Sequence, residues 1–225
     1  MDTSVFTHWH RAGRGEILRR LSPGGQVILI PDAVNAEIEV ARERYAGIPA
    51  IAECEWTQLV VLDSDEGAVQ LAIQSDLGAE TPVEHAGEAA VIAYAHTHGC
   101  TAILDEREAI NQAKEYTVQT RDSMWIVIEA LHVLGDVDRD MAEQIVDDLI
   151  ATDMWLPVRS GASLVGWAYE VEYMPHPTRP FQQRRAEFPP EDTAAVSSSG
   201  SAGEERTSLD IPTGPSDSTS RSPVL

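Results

Sequence analysis

A single lysine, Lys114, occurs in the 225-residue chain, and basic residues of either kind are scarce. There are 16 Lys and Arg against 37 Asp and Glu, a formal net charge of −21. The imbalance lies between Met1 and Met174, which hold 11 basic and 30 acidic residues, a net of −19. A field of that sign repels nucleic-acid phosphates and excludes a protein that coats RNA or DNA non-specifically. A phosphate-bearing substrate would need a local cation, either a metal or clustered arginines. Cysteine is almost missing too. Cys54 and Cys100 stand far apart without metal-ligand spacing, so they read as small buried apolar residues of a reducing compartment. No run approaches the ~20 apolar residues of a membrane span, and no signal-peptide h-region is visible. The expected setting is the cytoplasm, with no membrane contact.

What is present suits a packed α/β domain. The hydrophobic fraction is 43%, enough for a core. Three short apolar runs, "VILI" (27–30), "LVVL" (59–62) and "TAIL" (101–104), read as fully buried strands. Helical patterns alternate with them. "DAVNAEIEVARERY" aligns Val34, Ile38 and Ala41, with Asp32 as its expected N-cap. "EHAGEAAVIAYAH", "DSMWIVIEALHVL" and "RDMAEQIVDDLI" follow, the last with Met141, Ile145 and Leu149 in register. The alternation predicts a mostly parallel central sheet flanked by helices, a three-layer arrangement. From Pro175 onward the chain carries eight of its thirteen prolines and much Ser, Thr and Gly. Such a composition predicts a disordered tail over 175–225.

Four carboxylates occupy unusual positions. Asp2 opens the chain before apolar residues, and Glu37 borders the apolar stripe of its helix. Glu88 heads the next stripe, and Asp105 follows the "TAIL" strand at its carboxyl end, where open α/β sheets gather ligands. Each has an ordinary alternative. Asp105 with Glu108 fits a capping box, Glu88 a first-turn acid, and Glu37 a boundary residue reaching solvent. Together they point to one site. Carboxylates gathered without cations repel, and a hard divalent ion removes that cost. An all-oxygen set suits Mg²⁺ or Mn²⁺.

In order and spacing, "DTSVF", "IPDAVNAEI", "GEAAVIAYAHTHG" and "AILDEREA" resemble the PIN-domain proteins, metal-dependent ribonucleases that include the VapC-like toxins. The likeness is nearest to the branch with a Gly-Glu pair opening a helix. It implies a PIN-like domain over 1–156, with 157–174 as its C-terminal extension. By position, the family's acids fall on Asp2, Glu37, Glu88 and Asp105, which the resemblance makes both metal ligands and catalytic groups. Ser4 matches the small hydroxyl residue that orders the first motif, and Glu106 the second acid after the strand end. The resemblance further implies hydrolysis of an RNA phosphodiester to 5′-phosphate and 3′-hydroxyl ends, a homodimer, and a small antitoxin partner. The family's central first strand is missing ahead of Asp2. That gap leads us to expect a frayed Asp2, and a natural start upstream of Met1 that supplies a Val/Ile/Leu-rich stretch.

The remaining constellations stay open or fall away. His8 with His10, and His96 with His98, have a His-x-His form, but residues two apart on a helix do not face each other, so these read as surface histidines. Arg11, Arg14, Arg19 and Arg20 are either a solvated helix face or a phosphate clamp. The five tryptophans are scattered and read as core or edge packing. A phosphoacceptor receiver domain would need a lysine on a late strand, and Lys114 sits in a helical pattern. The rival that survives is a PIN-fold module that binds or regulates without catalysis.

Overall fold

The computed structural model describes residues 1–22 and 26–175. Apart from Pro175, the segment expected to be a tail lies outside the described residues. The elements run α1 (Thr3–Arg11), α2 (Gly15–Leu21), β1 (Ile28–Pro31), α3 (Asp32–Arg44), β2 (Thr57–Val60), α4 (Ser64–Asp76) and α5 (Ala86–His98). They continue with β3 (Ala102–Ile103), α6 (Arg107–Glu115), β4 (Thr120–Arg121), α7 (Ser123–Val133), α8 (Arg139–Ile150) and α9 (Leu164–Glu170). This is an α/β fold with short parallel strand pairs, as the alternation predicts. Among the described residues no helix is long and apolar enough to cross a membrane.

Local chemistry fixes the helix starts. Asp63 and Glu66 form a reciprocal capping box on α4, while Asp122 and Asp138 cap α7 and α8. Gly99, at φ +65°, ends α5 in the left-handed conformation that glycine adopts without a Cβ penalty. Helix α5 buries Gly87, Ala89 to Ala93 and Ala95, and packs against α3, α4, α6, β1 and β3. A helix apolar on all sides belongs in the middle of the core, and this one carries Glu88 there.

Strand β1 pairs in parallel with β2, from Ile28 opposite Thr57 to Pro31 opposite Val60. Strand β3 pairs in parallel with β4, Ala102 opposite Thr120. The first two residues link these pairs. The Met1 ammonium donates to the Leu29 carbonyl at 3.0 Å, and the Asp2 N–H donates to the Ile103 carbonyl at 3.0 Å. Successive groups of an extended chain point to opposite sides, so Met1 and Asp2 stand between β1 and β3, where a central strand would run. Met1 is fully buried and Asp2 only 2% exposed, so Asp2 is not frayed. Burial pushes the Met1 ammonium down to about 4.

Several expectations need correction. The "LVVL" strand lies at Thr57–Val60 and is not buried throughout. Leu59 is 47% and Val61 71% exposed, because β2 pairs only with β1 among the described residues and so forms an edge. Asp32 lies inside the first turn of α3, and Pro31, with its fixed φ, takes the N-cap position. Met141 is partly exposed and accepts from Arg14 Nη1 at 3.4 Å. Of the tryptophans, Trp9 is buried, whereas Trp155 is 76% exposed and packs in no core.

The chain after α8 is seated by one close approach. The Gly161 N–H donates to Asp147 Oδ1 at 2.7 Å, and a Cβ at that position would lie 1.8 Å from the Glu143 carbonyl oxygen. Leu164 and Ala168 of α9 are then fully buried in the same core.

Candidate active site

The N-terminus of α1 carries the centre of the site. Asp2 caps that helix. Its Oδ1 accepts from the Thr3 N–H at 2.6 Å, and its Oδ2 from the Ser4 N–H at 3.3 Å and the Ser4 hydroxyl at 3.0 Å. Burial raises the Asp2 carboxyl above its usual range, and these three bonds offset part of the rise. Ser4 therefore orders Asp2, the part the resemblance assigns to it.

Glu37 reaches across from α3. Its carboxylate accepts from the Thr3 hydroxyl and, at 3.0 Å, from the Gly87 N–H at the start of α5. Burial raises its pKa, and the charge on Asp2 adds to the rise. Gly87 is glycine for a visible reason. A Cβ there would sit 2.6 Å from Glu37 Oε2, so any side chain displaces the carboxylate. Because that carboxylate is the end of a flexible side chain, Gly87→Ala is expected to leave the fold intact and move Glu37. Thermal melting should shift by no more than a few degrees, while any metal-dependent activity falls by about 10–100-fold.

The Glu88 carboxyl is strongly perturbed, pushed up to about 8. Burial is the main cause, followed by the charges on Asp2 and Glu37 and a hydrogen bond with Glu106. Asp105 is held from behind the cleft. The Ser123 N–H donates to its Oδ1 at 2.7 Å and the Ser123 hydroxyl to its Oδ2 at 2.8 Å. Burial pushes Asp105 up to about 7, with Asp122 and Asp2 adding to it. Asp105 therefore does not cap α6, whose N-cap is Glu106. The capping-box alternative is set aside because the Asp105 oxygens are spent on Ser123.

Asp2 is the hub of this arrangement: its charge raises the pKa of Glu37, Glu88 and Asp105 alike. The structure thus places Glu37, Glu88 and Asp105 each within electrostatic reach of Asp2, without drawing the four acids into one close donor set. Asp2, Ser4, Glu37 and Glu88 line a cleft of about 410 Å³ that also takes in Thr7, His8, Arg11, Tyr45 and Thr152. Asp105 is not on that lining.

Among the described residues, the donor set drawn most closely together is His85, Glu88 and Glu106, with ligand atoms within 4.8 Å of one another. Only Glu88 is shared with the four acids. Asp2, Glu37 and Asp105 give oxygens to protein donors, whereas Glu88 meets Glu106. A carboxylate offers about four lone-pair sites, so these bonds leave room for an ion. The donors fit a divalent cation: mainly carboxylate oxygens, crowded enough to raise one another's pKa, with one imidazole beside them.

His85 escaped the sequence reading. It sits in the left-handed region at φ 54° as the N-cap of α5, and the one signal was its place two residues before the Gly-Glu pair. Thr3 and Ser123 escaped as well, because their bonds to Glu37 and Asp105 are long-range.

The arginines separate. Arg14 gives Nε and Nη2 to Asp148 Oδ2 at 2.8 and 2.6 Å and lies off the cleft lining. Arg19 pairs with Glu16 and Arg20 with Asp136. Arg11 alone of these four lines the cleft, its guanidinium 3.9 Å from the centre of the Tyr45 ring. His8 and His10 are partly buried, whereas His96 and His98 are exposed, as read from the sequence. His8 meets the Thr152 hydroxyl at 2.6 Å. His10 packs between Phe6 and Trp56, and burial pushes its pKa down to about 4. On the far side of the domain, His98 pairs with the buried Glu66 at 2.6 Å.

Comparison with known proteins bears on the family of the chain. The model of a family described as a PIN domain matches residues 1–165. No curated protein and no solved structure matches significantly. The match spans well over half the chain, and on that ground the chain belongs to the PIN-domain family.

Proposed function

We propose that this chain is a metal-dependent endoribonuclease. The observation that carries the reading is the grouping about Asp2: this buried carboxylate shares an open cleft with Glu37 and Glu88, and its charge also reaches Asp105, which lies off the cleft lining. In this reading Asp2, Glu37, Glu88 and Asp105 hold a Mg²⁺ or Mn²⁺ ion, with Glu106 and His85 beside it. When bound, the ion supplies an activated water and neutralises charge developing on the phosphate. Ser4 and Thr3 orient Asp2 and Glu37, Ser123 orients Asp105, and the buried surroundings keep bulk water away. An imidazole near the carboxylates favours Mn²⁺ over Mg²⁺. The resemblance adds a homodimer and a small antitoxin; a basic antitoxin segment would complement the acidic cleft. Two free, buried cysteines accord with a cytoplasmic setting.

The purified chain should cut single-stranded RNA faster with Mn²⁺ than with Mg²⁺, leave 5′-phosphate and 3′-hydroxyl ends, and stop in EDTA. Cutting that persists in EDTA would contradict the metal, and absence of cutting with either ion would contradict the nuclease. The non-catalytic binding module then becomes the better reading, favoured by the protein donors already bonded to three of the acids.

A further inference from the structure

Arg11 and Tyr45 meet at the rim of the acidic cleft, and we propose that this stack is a subsite gripping a nucleotide that flanks the cut, its base on the aromatic–guanidinium face and its phosphate on Arg11. The inference rests on the ribonuclease reading and adds to it the residues that position the strand.

Arg11 is unspent. Arg14, Arg19, Arg20, Arg42 and Arg139 each form an ion pair with a carboxylate; Arg11, like Arg44, Arg107, Arg121 and Arg159, forms none among the described residues, and of these it is Arg11 that lines the cleft. In a domain with 30 acidic residues, a cation kept on an aromatic ring is kept from self-neutralisation. Its planar fork remains free at the edge, where it can meet two phosphate oxygens. Tyr45 is 38% exposed although it lines the cleft, and an aromatic face at such a place stacks a base without regard to sequence.

The placement follows from two helices. Helix α1 begins after Asp2 and ends at Arg11; α3 carries Glu37 and is followed directly by Tyr45. At 1.5 Å per residue the two members of the stack lie roughly 12–14 Å along their helices from the acids. Thr3 bonds Glu37 at one end of this helix pair and Arg11 meets Tyr45 at the other, so both displacements lead to the same end of the cleft. The rest of the lining is polar, with Thr7, His8, Thr152 and one further acid, Asp153. A strand whose scissile phosphate sits at Asp2 therefore passes the stack a short distance on, and Arg11 offsets there the repulsion that the domain's charge imposes on RNA.

The test uses a short single-stranded oligoribonucleotide of one defined cut site and a set of variants with one abasic position on either side of the cut. Tyr45→Ala should raise KM about tenfold, with the effect on KM and not on kcat, and Tyr45→Phe should restore it. One abasic position should raise KM for the wild type to the same degree and leave Tyr45→Ala indifferent. Arg11→Gln should reduce the slope of log KM against log salt by about one phosphate contact. Circular dichroism should show the melting temperature of each variant unchanged. Cleavage by Tyr45→Ala with the wild-type KM and the wild-type abasic profile would overturn the subsite alone. No cleavage by the wild type would overturn the ribonuclease reading and the subsite with it.

Discussion

Glu88→Gln is expected to lower RNA cleavage by about 10²–10³-fold or more while stabilising the metal-free protein at alkaline pH. The loss of activity follows from removing a carboxylate that lines the cleft and belongs to the closest donor set, in a site where charge balance dominates the barrier. The gain in stability follows from linkage. Burial and the neighbouring acids raise the Glu88 carboxyl from 4.5 to about 8. Between those values the folded state holds a proton that the unfolded chain has released, so this group's contribution to stability falls as pH rises through the window. Glutamine copies the protonated acid and never ionises. Wild type and variant should therefore melt together near pH 5, and the variant should melt higher near pH 9. With Glu88 partly exposed, the difference is discounted to about 1–2 kcal/mol, or about 3–6 °C. The Met1 ammonium, lowered to about 4, has the opposite sign, its contribution rising with pH from about 4 to 8. It is common to both proteins and cancels. Saturating Mn²⁺ should narrow or reverse the order at pH 8, because the wild type gains more binding energy than the variant. Equal melting at pH 9 would show that Glu88 is not strained by its neighbours.

The second large effect is on stability. Trp9→Ala should cost about 3–5 kcal/mol, a large share of the ~5–15 kcal/mol that holds a typical domain. Trp9 is fully buried on α1, and its indole Nε1 donates to the Ser123 hydroxyl at 2.8 Å. That hydroxyl in turn donates to Asp105 Oδ2 at 2.8 Å. Truncation leaves a cavity and an incompletely bonded buried Ser123 that holds a site acid. Trp9→Phe separates the two effects: most of the packing survives and only the donor is lost. It should cost about 1–2 kcal/mol, read from urea unfolding midpoints, and lower activity through a less firmly held Asp105. A Trp9→Ala protein as stable as the wild type would remove Trp9 and Ser123 from the account of how Asp105 is held.

The four acids stand out in the sequence because each occupies a punctuated position: the chain start ahead of apolar residues, the edge of an apolar stripe, a Gly-Glu helix start and a strand end. Their partners were not legible. Ser123 reaches Asp105 across 18 residues and Gly87 reaches Glu37 across 50, distances that no local pattern encodes. The helix "TSVFTHWHR" was obscured by its own N-cap, since an Asp followed by apolar residues also fits a strand end. Strand β4, only Thr120–Arg121, is too short to carry an alternation. For "LVVL" the error was physical: a run of apolar residues implies burial on both faces, but β2 is an edge strand with Leu59 and Val61 open to water.

The claim that the four acids share one cation is tested most directly by Mn²⁺ binding, followed by the electron paramagnetic resonance of free ion at pH about 8. The wild type should take up one or two Mn²⁺, and Glu88→Gln should bind at least about tenfold more weakly. Uptake that is absent in the wild type, or equally tight in Glu88→Gln, would contradict the shared metal centre.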